Sequence, residues 1–455
     1  MSFCGRTKRG KPLVMRASSL LAPLALAFAL GPAVTARAEE APPAVHLDVR
    51  RATLPNGLRV VLSVSPTSGA VAVALRIDVG SRNELRGQAG FAHLVERMLR
   101  GDRQDASGET SRDGTTLVLL APREDPSRAL SLQASRLKPL EASTGDLDAS
   151  RRAIEGEFGA EERDLAGERL DGLVYQGYWP YEHEALGSKR DVEAAQLDGV
   201  RAFHDAFYGP NDAILVLVGD FDPEAALVRI RAAFSDARPV TPPKLETGTL
   251  PEQAAPREDV VEDAHARAAA LLFGWAIPPA GTPEHDALEI AAHLLTDGDG
   301  SRLRTALVRG RAIAADATAW THDRLGPDVF ELRATASGKE TIASLDAAIT
   351  DAILHLAKSP PAIDEVARTR RQIAARFLLD LQSNEGRATE LAAIEASRGD
   401  ASLVNAELDR YLAVSSEDVS RAVAKYLAPN RRSRVEVKPS PNEAKVDAKR
   451  APKQP

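Results

Sequence analysis

Two long apolar runs, each followed by a turn and a helical pattern, constrain the fold of this chain more than any other feature. They occupy residues 70–79 and 268–277, one in each half of the sequence. An almost uninterrupted apolar run bounded by turn residues is typical of a strand that is buried on both faces. Because the same order of strand, turn and helix occurs twice, the chain carries a weak internal duplication. We therefore predict an α+β fold of two similar halves, each a sheet backed by helices.

A proline-rich segment separates the two halves. Residues 238–257 contain five prolines and few large apolar residues, a composition that suits an exposed linker. The predicted N-terminal domain covers residues 46–237 and the predicted C-terminal domain covers residues 258–437. The tail, residues 438–455, has almost nothing to bury, so we predict that it is disordered.

Composition and patterning indicate a globular core of aliphatic residues. Apolar residues make up 44% of the chain but aromatic residues only 4%, so Leu, Ala and Val must form most of the core. Helical patterns cover residues 364–381 and 415–427, and a last strand is predicted around Val435. The net charge of −7, without a basic run interleaved with aromatics, argues against a nucleic-acid binder.

The N-terminus has the pattern of a secretory signal peptide covering residues 1–38. Cationic residues precede an apolar stretch at residues 20–30, which is too short to span a bilayer comfortably. Small residues then provide a cleavage site just before Glu39. The start could be Met1 or Met15. We predict a mature chain in the periplasm or outside the cell, without a membrane anchor.

The helical pattern after the first apolar run contains a near-match to a metal-binding motif. His93-Leu94-Val95-Glu96-Arg97 is one residue short of H-x-x-E-H. On a helix, residues four apart share one face, so two histidines there can bind one Zn²⁺ while the glutamate reaches the metal-bound water. Arg97 occupies the second ligand position. A guanidinium has no lone pair for a metal and stays positively charged in proteins.

The segments around this motif form a longer pattern. They are, in order, Leu54-Pro55-Asn56-Gly57-Leu58, Val79-Gly80-Ser81-Arg82-Asn83-Glu84, Gly90-Phe91-Ala92-His93, Phe207-Tyr208-Gly209-Pro210-Asn211-Asp212 and Leu215-Val216-Leu217-Val218-Gly219-Asp220. In this order and spacing the chain resembles the pitrilysin/insulinase family of zinc metallopeptidases, the inverzincins. The resemblance implies two similar domains that enclose a cleft. It also implies that small members pair two chains, one of which contributes the catalytic centre.

The resemblance assigns roles to individual residues. His93 matches the first zinc ligand, Glu96 the general base, and Glu157 on a later helix the third ligand, with Glu155 as the fallback. Arg97 stands at the second ligand position, where its charge about 4 Å from Zn²⁺ would repel the ion by roughly 8 kcal/mol at an effective dielectric of about 20. Two protein ligands also make a poor zinc site. We therefore predict that no cofactor is bound and that His93, Glu96 and Glu157 are vestigial.

Loss of the metal would leave the two glutamates of the site with uncompensated charge. Buried carboxylates are costly unless they are protonated or paired with a cation. Arg97 can provide that cation. We therefore predict a salt bridge from Arg97 to Glu157 or Glu96 that substitutes electrostatically for zinc.

Two further departures from the family pattern concern substrate binding. In the family, a helix and then an Asn-Ala-x-Thr strand follow the motif. Here residues 101–107 pass almost directly to residues 110–116, so we expect the strand to be trimmed, and the family's asparagine falls on Ser107. This shortening puts peptide docking in doubt. Members or their partner chains also present an arginine and a tyrosine to the substrate carbonyl. Those positions align with Val308 and Ala315, whose side chains donate no hydrogen bond, and Arg309 could replace the first only after a register slip.

Five further histidines carry no recognised metal motif. In this interpretation they have no paired ligand at metal spacing, so positions in the core or on the surface are favoured. They are His183, His204, His285, His293 and His322.

These observations favour an exported, catalytically degenerate member of the family. It would act as the non-catalytic partner of an active homologous peptidase chain in a hetero-oligomer, as a homodimer, or as a peptide-binding scaffold. The alternative is a zinc metalloendopeptidase with an altered site, in which His93, Glu157 and a recruited residue hold the metal and Glu96 activates water.

Overall fold

The structure, a computed structural model, describes residues 46–66, 69–101, 103, 105–160, 163–245, 248–337 and 342–440. The predicted signal peptide, residues 1–38, and residues 441–455 of the predicted disordered tail lie outside the described residues. The described part contains two sheets, each with helices, which confirms the predicted α+β fold class. None of its described helices is both long and apolar enough to cross a membrane.

Six strands form the first sheet: β1 (Val49–Thr53), β2 (Arg59–Val64), β3 (Ala70–Ile77), β4 (Ala106–Thr110), β5 (Thr115–Pro122) and β6 (Ala213–Gly219). Their order is β1-β2-β6-β3-β5-β4, with β2 and β6 parallel. Strand β3 is the first apolar run of the sequence, and it pairs antiparallel with β5 and β6. It is buried along most of its length because both faces of the sheet are covered.

Five strands form the second sheet: β7 (Arg257–Asp263), β8 (Ala270–Ile277), β9 (Ala314–Trp320), β10 (Asp328–Ala336) and β11 (Ser433–Pro439). Their order is β7-β11-β8-β10-β9. Strand β8 is the second apolar run, and like β3 it pairs antiparallel with both of its neighbours. The predicted last strand around Val435 is β11.

The helices are α1 (Phe91–Arg100), α2 (Ser127–Ser135), α3 (Thr144–Phe158), α4 (Leu165–Val174), α5 (Trp179–Glu182), α6 (Lys189–Ala194), α7 (Leu197–Phe207), α8 (Pro223–Ala233), α9 (Pro283–Thr296), α10 (Ile342–Lys358), α11 (Ile363–Asp380), α12 (Asn384–Arg398), α13 (Glu407–Leu412) and α14 (Ser416–Tyr426). Helices α11 and α14 begin and end within one residue of the two predicted helical patterns. A π-helical segment, Arg304–Gly310, precedes β9.

Each half contributes one helix to the sheet of the other half. Helix α12 packs on β3 and β6, where Leu391 joins Val216 in one buried apolar cluster. Helix α4 packs on β8 and β11, where Leu170 joins Leu272 in another. Burial of a leucine side chain is worth about 1.5–3 kcal/mol, so both sheets depend on residues far away in the sequence.

A buried ion-pair network also joins the halves. Oδ2 of Asp171, on α4, lies 2.9 Å from Nη2 of Arg112 in the first half and 3.0 Å from Nη2 of Arg324 in the second. The backbone N–H of Leu325 donates to Asp113 at 3.1 Å. Because these side chains are largely buried, each charge depends on its partners for compensation.

Candidate functional site

A buried carboxylate fixes the start of helix α1, around which the site forms. Gly90 precedes the helix with a φ of 104°, a left-handed conformation that glycine adopts without strain. The backbone N–H groups of Gly90 and Ala92 each donate to Glu84 at 2.8 Å. A carboxylate at this end satisfies free N–H groups and complements the helix dipole. Burial raises the pKa of Glu84, and its hydrogen bond with His183 acts in the opposite direction.

Helix α1 directs His93 and Glu96 toward Glu157 on α3. Nε2 of His93 lies 2.9 Å from Oε2 of Glu157, and Nδ1 of His93 lies 3.6 Å from Oε2 of Glu96. The Glu96 side chain is 2% exposed and the Glu157 side chain 30%, so only Glu157 borders solvent. The fallback residue Glu155 is exposed. The structure thus brings together the three residues that the family resemblance assigned to one site.

Two arginines of α1 contact the two carboxylates of this site. Nη2 of Arg97 is in direct contact with Oε1 of Glu157. Nε of Arg100 lies 3.1 Å from Oε1 of Glu96. The salt bridge predicted between Arg97 and one of the glutamates is therefore formed with Glu157. Glu96 instead forms an ion pair with Arg100, which the sequence interpretation missed. Arg100 follows Glu96 by four residues, so the two side chains lie on the same face of the helix.

Electrostatics at this site balance without any added cation. Burial lowers the pKa of His93, the charge of Glu96 opposes that effect, and the charge of Arg97 adds to it. Burial and the neighbouring Arg100 lower the pKa of Arg97, but a guanidinium stays protonated at neutral pH. A neutral imidazole, two carboxylates and two guanidiniums sum to a net charge of zero.

The family resemblance implies a zinc ion here, and the residues present do not fit one. Zinc sites in proteins use at least three protein ligands, usually in tetrahedral geometry. Among the described residues, His93 and Glu157 occupy two of the three ligand positions that the resemblance implies, Arg97 occupies the third, and one oxygen of Glu157 is already in contact with Arg97. A dication between these two side chains would lie beside the guanidinium. Binding would require Arg97 to move and a further ligand to enter.

An edge strand lies beside α1, where the sequence interpretation expected a shortened connection. Strand β4 pairs with β5 from Ala106 to Thr110 and forms one edge of the first sheet. Gly108 lies so close to Oε1 of Glu96 that a Cβ atom there would clash. As predicted, the connection after the motif is short, because β4 is the next element after α1; the strand itself is present, with five residues. An edge strand presents backbone groups with which an extended peptide can pair.

The positions that align with the family's substrate-holding arginine and tyrosine are occupied by Val308 and Ala315, so they do not form such a pair. Val308 is in the π-helical segment and Ala315 is exposed in β9. Arg309 is exposed, with its Nη2 3.4 Å from Oγ1 of Thr305. No tyrosine occurs between residues 304 and 320.

Helix α9 takes the place in the second half that α1 takes in the first, and it also carries a histidine. His93 is the third residue of α1 and His285 is the third residue of α9. One ligand atom from each of His285, Asp286 and Glu289 lies within 4.8 Å of the others. His285 lies in the core, one of the two placements that the sequence interpretation favoured, but it has carboxylates within reach of a shared ion, which that interpretation missed. The missed signal is Glu289, four residues further on and therefore on the same helix face.

Family models match most of both halves. Residues 59–157 match the model described as insulinase (peptidase family M16), and residues 194–373 match the model described as peptidase M16 inactive domain. The chain is 24% identical over 329 residues to the zinc protease PqqE of Helicobacter pylori, which covers 65% of this chain and 73% of that protein. It is 28% identical over 223 residues to cytochrome b-c1 complex subunit 1 of Caenorhabditis elegans, covering 43% of this chain and 47% of that protein.

Solved structures share the fold. A protease from Helicobacter pylori matches with a TM-score of 0.79 at 21% identity, covering 86% of this chain and all of that one. A peptidase M16 inactive domain from Pseudomonas fluorescens matches with a TM-score of 0.76 at 18% identity, covering 87% and 98%. The first half of the periplasmic protease PqqL from Escherichia coli matches with a TM-score of 0.69 at 15% identity, covering 90% and 95%.

Proposed function

Because this chain belongs to the insulinase (peptidase M16) family, we propose that it is an exported, catalytically degenerate member. It acts as the non-catalytic partner of an active homologous chain, or as a peptide-binding scaffold. In this proposal His93, Glu96 and Glu157 are vestiges of a zinc site, and Arg97 has taken over the electrostatic role of the metal.

The contact between Arg97 and Glu157 carries this proposal. A working site needs a metal ligand at position 97 and a free carboxylate on Glu157. Instead, the guanidinium lies against that carboxylate, and Arg100 pairs with the residue that would activate water. General-base catalysis needs a carboxylate oxygen that can accept a proton from water, and Oε1 of Glu96 is instead in contact with Arg100.

Val308 and Ala315 align with the positions at which active members or their partners hold the substrate carbonyl, and neither side chain can donate a hydrogen bond, which supports the degenerate character of this chain. Two observations support the binding of a peptide or a partner chain. Strand β4 offers an edge on which an extended peptide can pair. One relative is named as a subunit of a larger assembly, the cytochrome b-c1 complex. We propose a hetero-oligomer with an active homologue first, and a homodimer second.

Export is supported by the N-terminal sequence pattern and by one relative. Residues 1–38 have the charge and hydropathy pattern of a signal peptide. The structurally similar PqqL of Escherichia coli is described as periplasmic. N-terminal sequencing of the protein from its native source should find a mature chain that begins near Glu39.

The deciding experiment measures partner, metal and activity on the same preparation. Protein purified from the native source should co-purify with a homologous chain that has an intact H-x-x-E-H motif. Peptide hydrolysis by the complex should continue after Glu96→Gln in this chain and stop after the equivalent change in the partner. If the chain alone hydrolyses peptides and Glu96→Gln abolishes that activity, it is a zinc metalloendopeptidase with an altered site. Several relatives are named zinc proteases.

A further inference from the structure

His285 is a fully buried imidazole with one bonded nitrogen and one unbonded nitrogen. Its Nε2 lies 2.9 Å from Oδ2 of Asp328, and neither side chain is exposed. Backbone N–H groups of His322 and Val329 also donate to Asp328, at 3.1 and 2.7 Å, so this carboxylate acts as an acceptor. Nε2 therefore donates to Asp328, and a neutral imidazole presents its lone pair at Nδ1.

Nδ1 of His285 has no hydrogen-bond partner within the described part of the chain. A buried polar atom without a partner is uncommon in folded proteins and calls for an explanation. A histidine that gives one N–H to a carboxylate and keeps its other nitrogen free has the arrangement of a metal ligand, because the carboxylate fixes the tautomer and orients the ring.

Two carboxylates of the same helix lie beside this imidazole. Glu289 is four residues after His285 on α9, and Asp286 is the next residue. Their ligand atoms and that of His285 lie within 4.8 Å of one another. Donors around a zinc ion stand about 3–3.5 Å apart, so side-chain rotations alone could bring these three to binding distance. Oδ1 of Asp323, 3.9 Å from Nε2 of His285, adds a further negative charge.

Arg410 on α13 covers this cluster. Its Nη1 is in direct contact with Oδ1 of Asp286, and its Nη2 lies 3.7 Å from Oε2 of Glu289. Its Nε lies 2.7 Å from Oε1 of Glu407, a carboxylate outside the cluster. The guanidinium can therefore turn away from Asp286 and Glu289 while it keeps one ion pair, so its departure leaves no isolated buried charge.

We propose that His285, Asp286 and Glu289 bind a divalent transition-metal ion in the second half, with Arg410 covering the site in the metal-free protein. The donor set of one imidazole nitrogen and carboxylate oxygens favours Zn²⁺ over Mg²⁺ and Ca²⁺, which prefer oxygen donors alone. The site is independent of the degenerate centre on α1. It lies on the helix of the second half that corresponds to α1. Glu289 follows His285 by four residues, as Arg97 follows His93, so the second half has a carboxylate where the first half has a guanidinium.

Zinc titration of the chelator-treated full-length protein by calorimetry tests the proposal. The unmodified protein and the His93→Gln variant should each bind one zinc per chain, and His285→Gln should bind none. Gln keeps an N–H donor for Asp328 but removes the lone pair at Nδ1. Glu284→Gln, an exposed change on the same helix, is the matched control and should bind like the unmodified protein. MgCl2 should give no binding under the same conditions.

Two further variants keep the test decisive if His285→Gln does not fold. Glu289→Gln should abolish binding, and Asp328→Asn should weaken it on the order of 10- to 100-fold through loss of ring orientation. Zinc bound equally by His285→Gln and Glu289→Gln would overturn the proposal. If neither the unmodified protein nor any variant bound zinc, the proposed site on α9 would be overturned, whereas the proposal of a degenerate centre on α1 would be unaffected. Loss of zinc in His93→Gln alone would overturn both proposals.

Discussion

The two halves of this protein follow one plan but place the histidine of the equivalent helix in opposite surroundings. His93 on α1 lies among two carboxylates and two arginines of its own helix, and the pKa of the imidazole is lowered. His285 on α9 is hydrogen-bonded to Asp328 and surrounded by further carboxylates, and its pKa is raised. In the first half the arginine that contacts Glu157 is on the same helix as His93, whereas in the second half the arginine that contacts Asp286 is on another helix, α13. Equivalent helices of the two halves thus meet their covering arginines in different ways: one within the helix itself and one through tertiary packing.

The halves are also alike in their dependence on each other. Helix α12 belongs to the second half by sequence but covers the first sheet, and α4 does the reverse. The two histidine sites therefore lie in halves that share apolar packing contacts.

The largest expected effect is on the ion-pair network between the halves. Asp171→Ala should lower the free energy of unfolding by about 3–5 kcal/mol, because it leaves the buried guanidiniums of Arg112 and Arg324 without their shared partner. Urea unfolding measures this. Asp198→Ala removes a carboxylate that is 96% exposed and should change the unfolding free energy by no more than about 0.5 kcal/mol. Equal effects of the two changes would mean that the network does not hold the halves together.

Leucines of the exchanged helices should show the mutual dependence directly. Leu391→Ala and Leu170→Ala should each cost about 2–5 kcal/mol, since both side chains are fully buried against the opposite sheet. Hydrogen exchange locates the effect. Leu391→Ala should speed exchange in β3 and β6, although it lies in the second half of the sequence. If hydrogen exchange became faster only in the second sheet, α12 would not stabilise the first sheet.

Restoring the missing ligand should sharpen the contrast between α1 and α9. Arg97→His should regain zinc weakly at the first site, and a free zinc concentration ten times the Kd would then raise the unfolding free energy by about 1.4 kcal/mol. Arg97→Gln removes the charge without adding a ligand and should give no such gain. Both variants should carry His285→Gln, so that any zinc bound at α9 does not contribute. Little peptidase activity should return, because the side chains of Val308 and Ala315 still cannot donate a hydrogen bond to the substrate carbonyl.

The smallest expected effect is opposite pH dependence at the two histidines. Burial, opposed by Glu96 and aided by Arg97, lowers the pKa of His93 below its usual 6.5. Its contribution to stability is therefore present above pH 6.5 and is lost as the pH falls through the folded-state pKa. Burial also acts to lower the pKa of His285, but the hydrogen bond to Asp328 and nearby carboxylates outweigh it and raise the pKa. That contribution is present below pH 6.5 and is lost as the pH rises through the folded-state pKa.

Proton NMR titration of the two imidazoles in metal-free protein checks these signs. His93 should titrate below the usual histidine value and His285 above it. His93→Gln should remove stability loss on the acid side, and His285→Gln should remove stability loss on the alkaline side. Titration of both rings on the same side of pH 6.5 would contradict the comparison.

Local pattern was sufficient for several elements and for the two residues that α1 contributes to the first site, His93 and Glu96. The apolar runs predicted β3 and β8, and the helical patterns predicted α11 and α14, because side-chain periodicity reports which face of an element is buried. Helical spacing alone put His93 and Glu96 on one face. It also held the signal for Arg100 beside Glu96 and for Glu289 beside His285, which the interpretation of isolated motifs overlooked.

What the sequence by itself determined is the chemistry available at each helix position: a guanidinium where one imidazole would be needed, and a carboxylate at the same place in the duplicate. Only the tertiary structure decided which charges meet. The partner of Arg97 is on α3, the arginine over Glu289 is on α13, and each sheet is covered by a helix from the other half. Contacts between residues far apart in the chain depend on the packing of whole elements, and no local spacing encodes them.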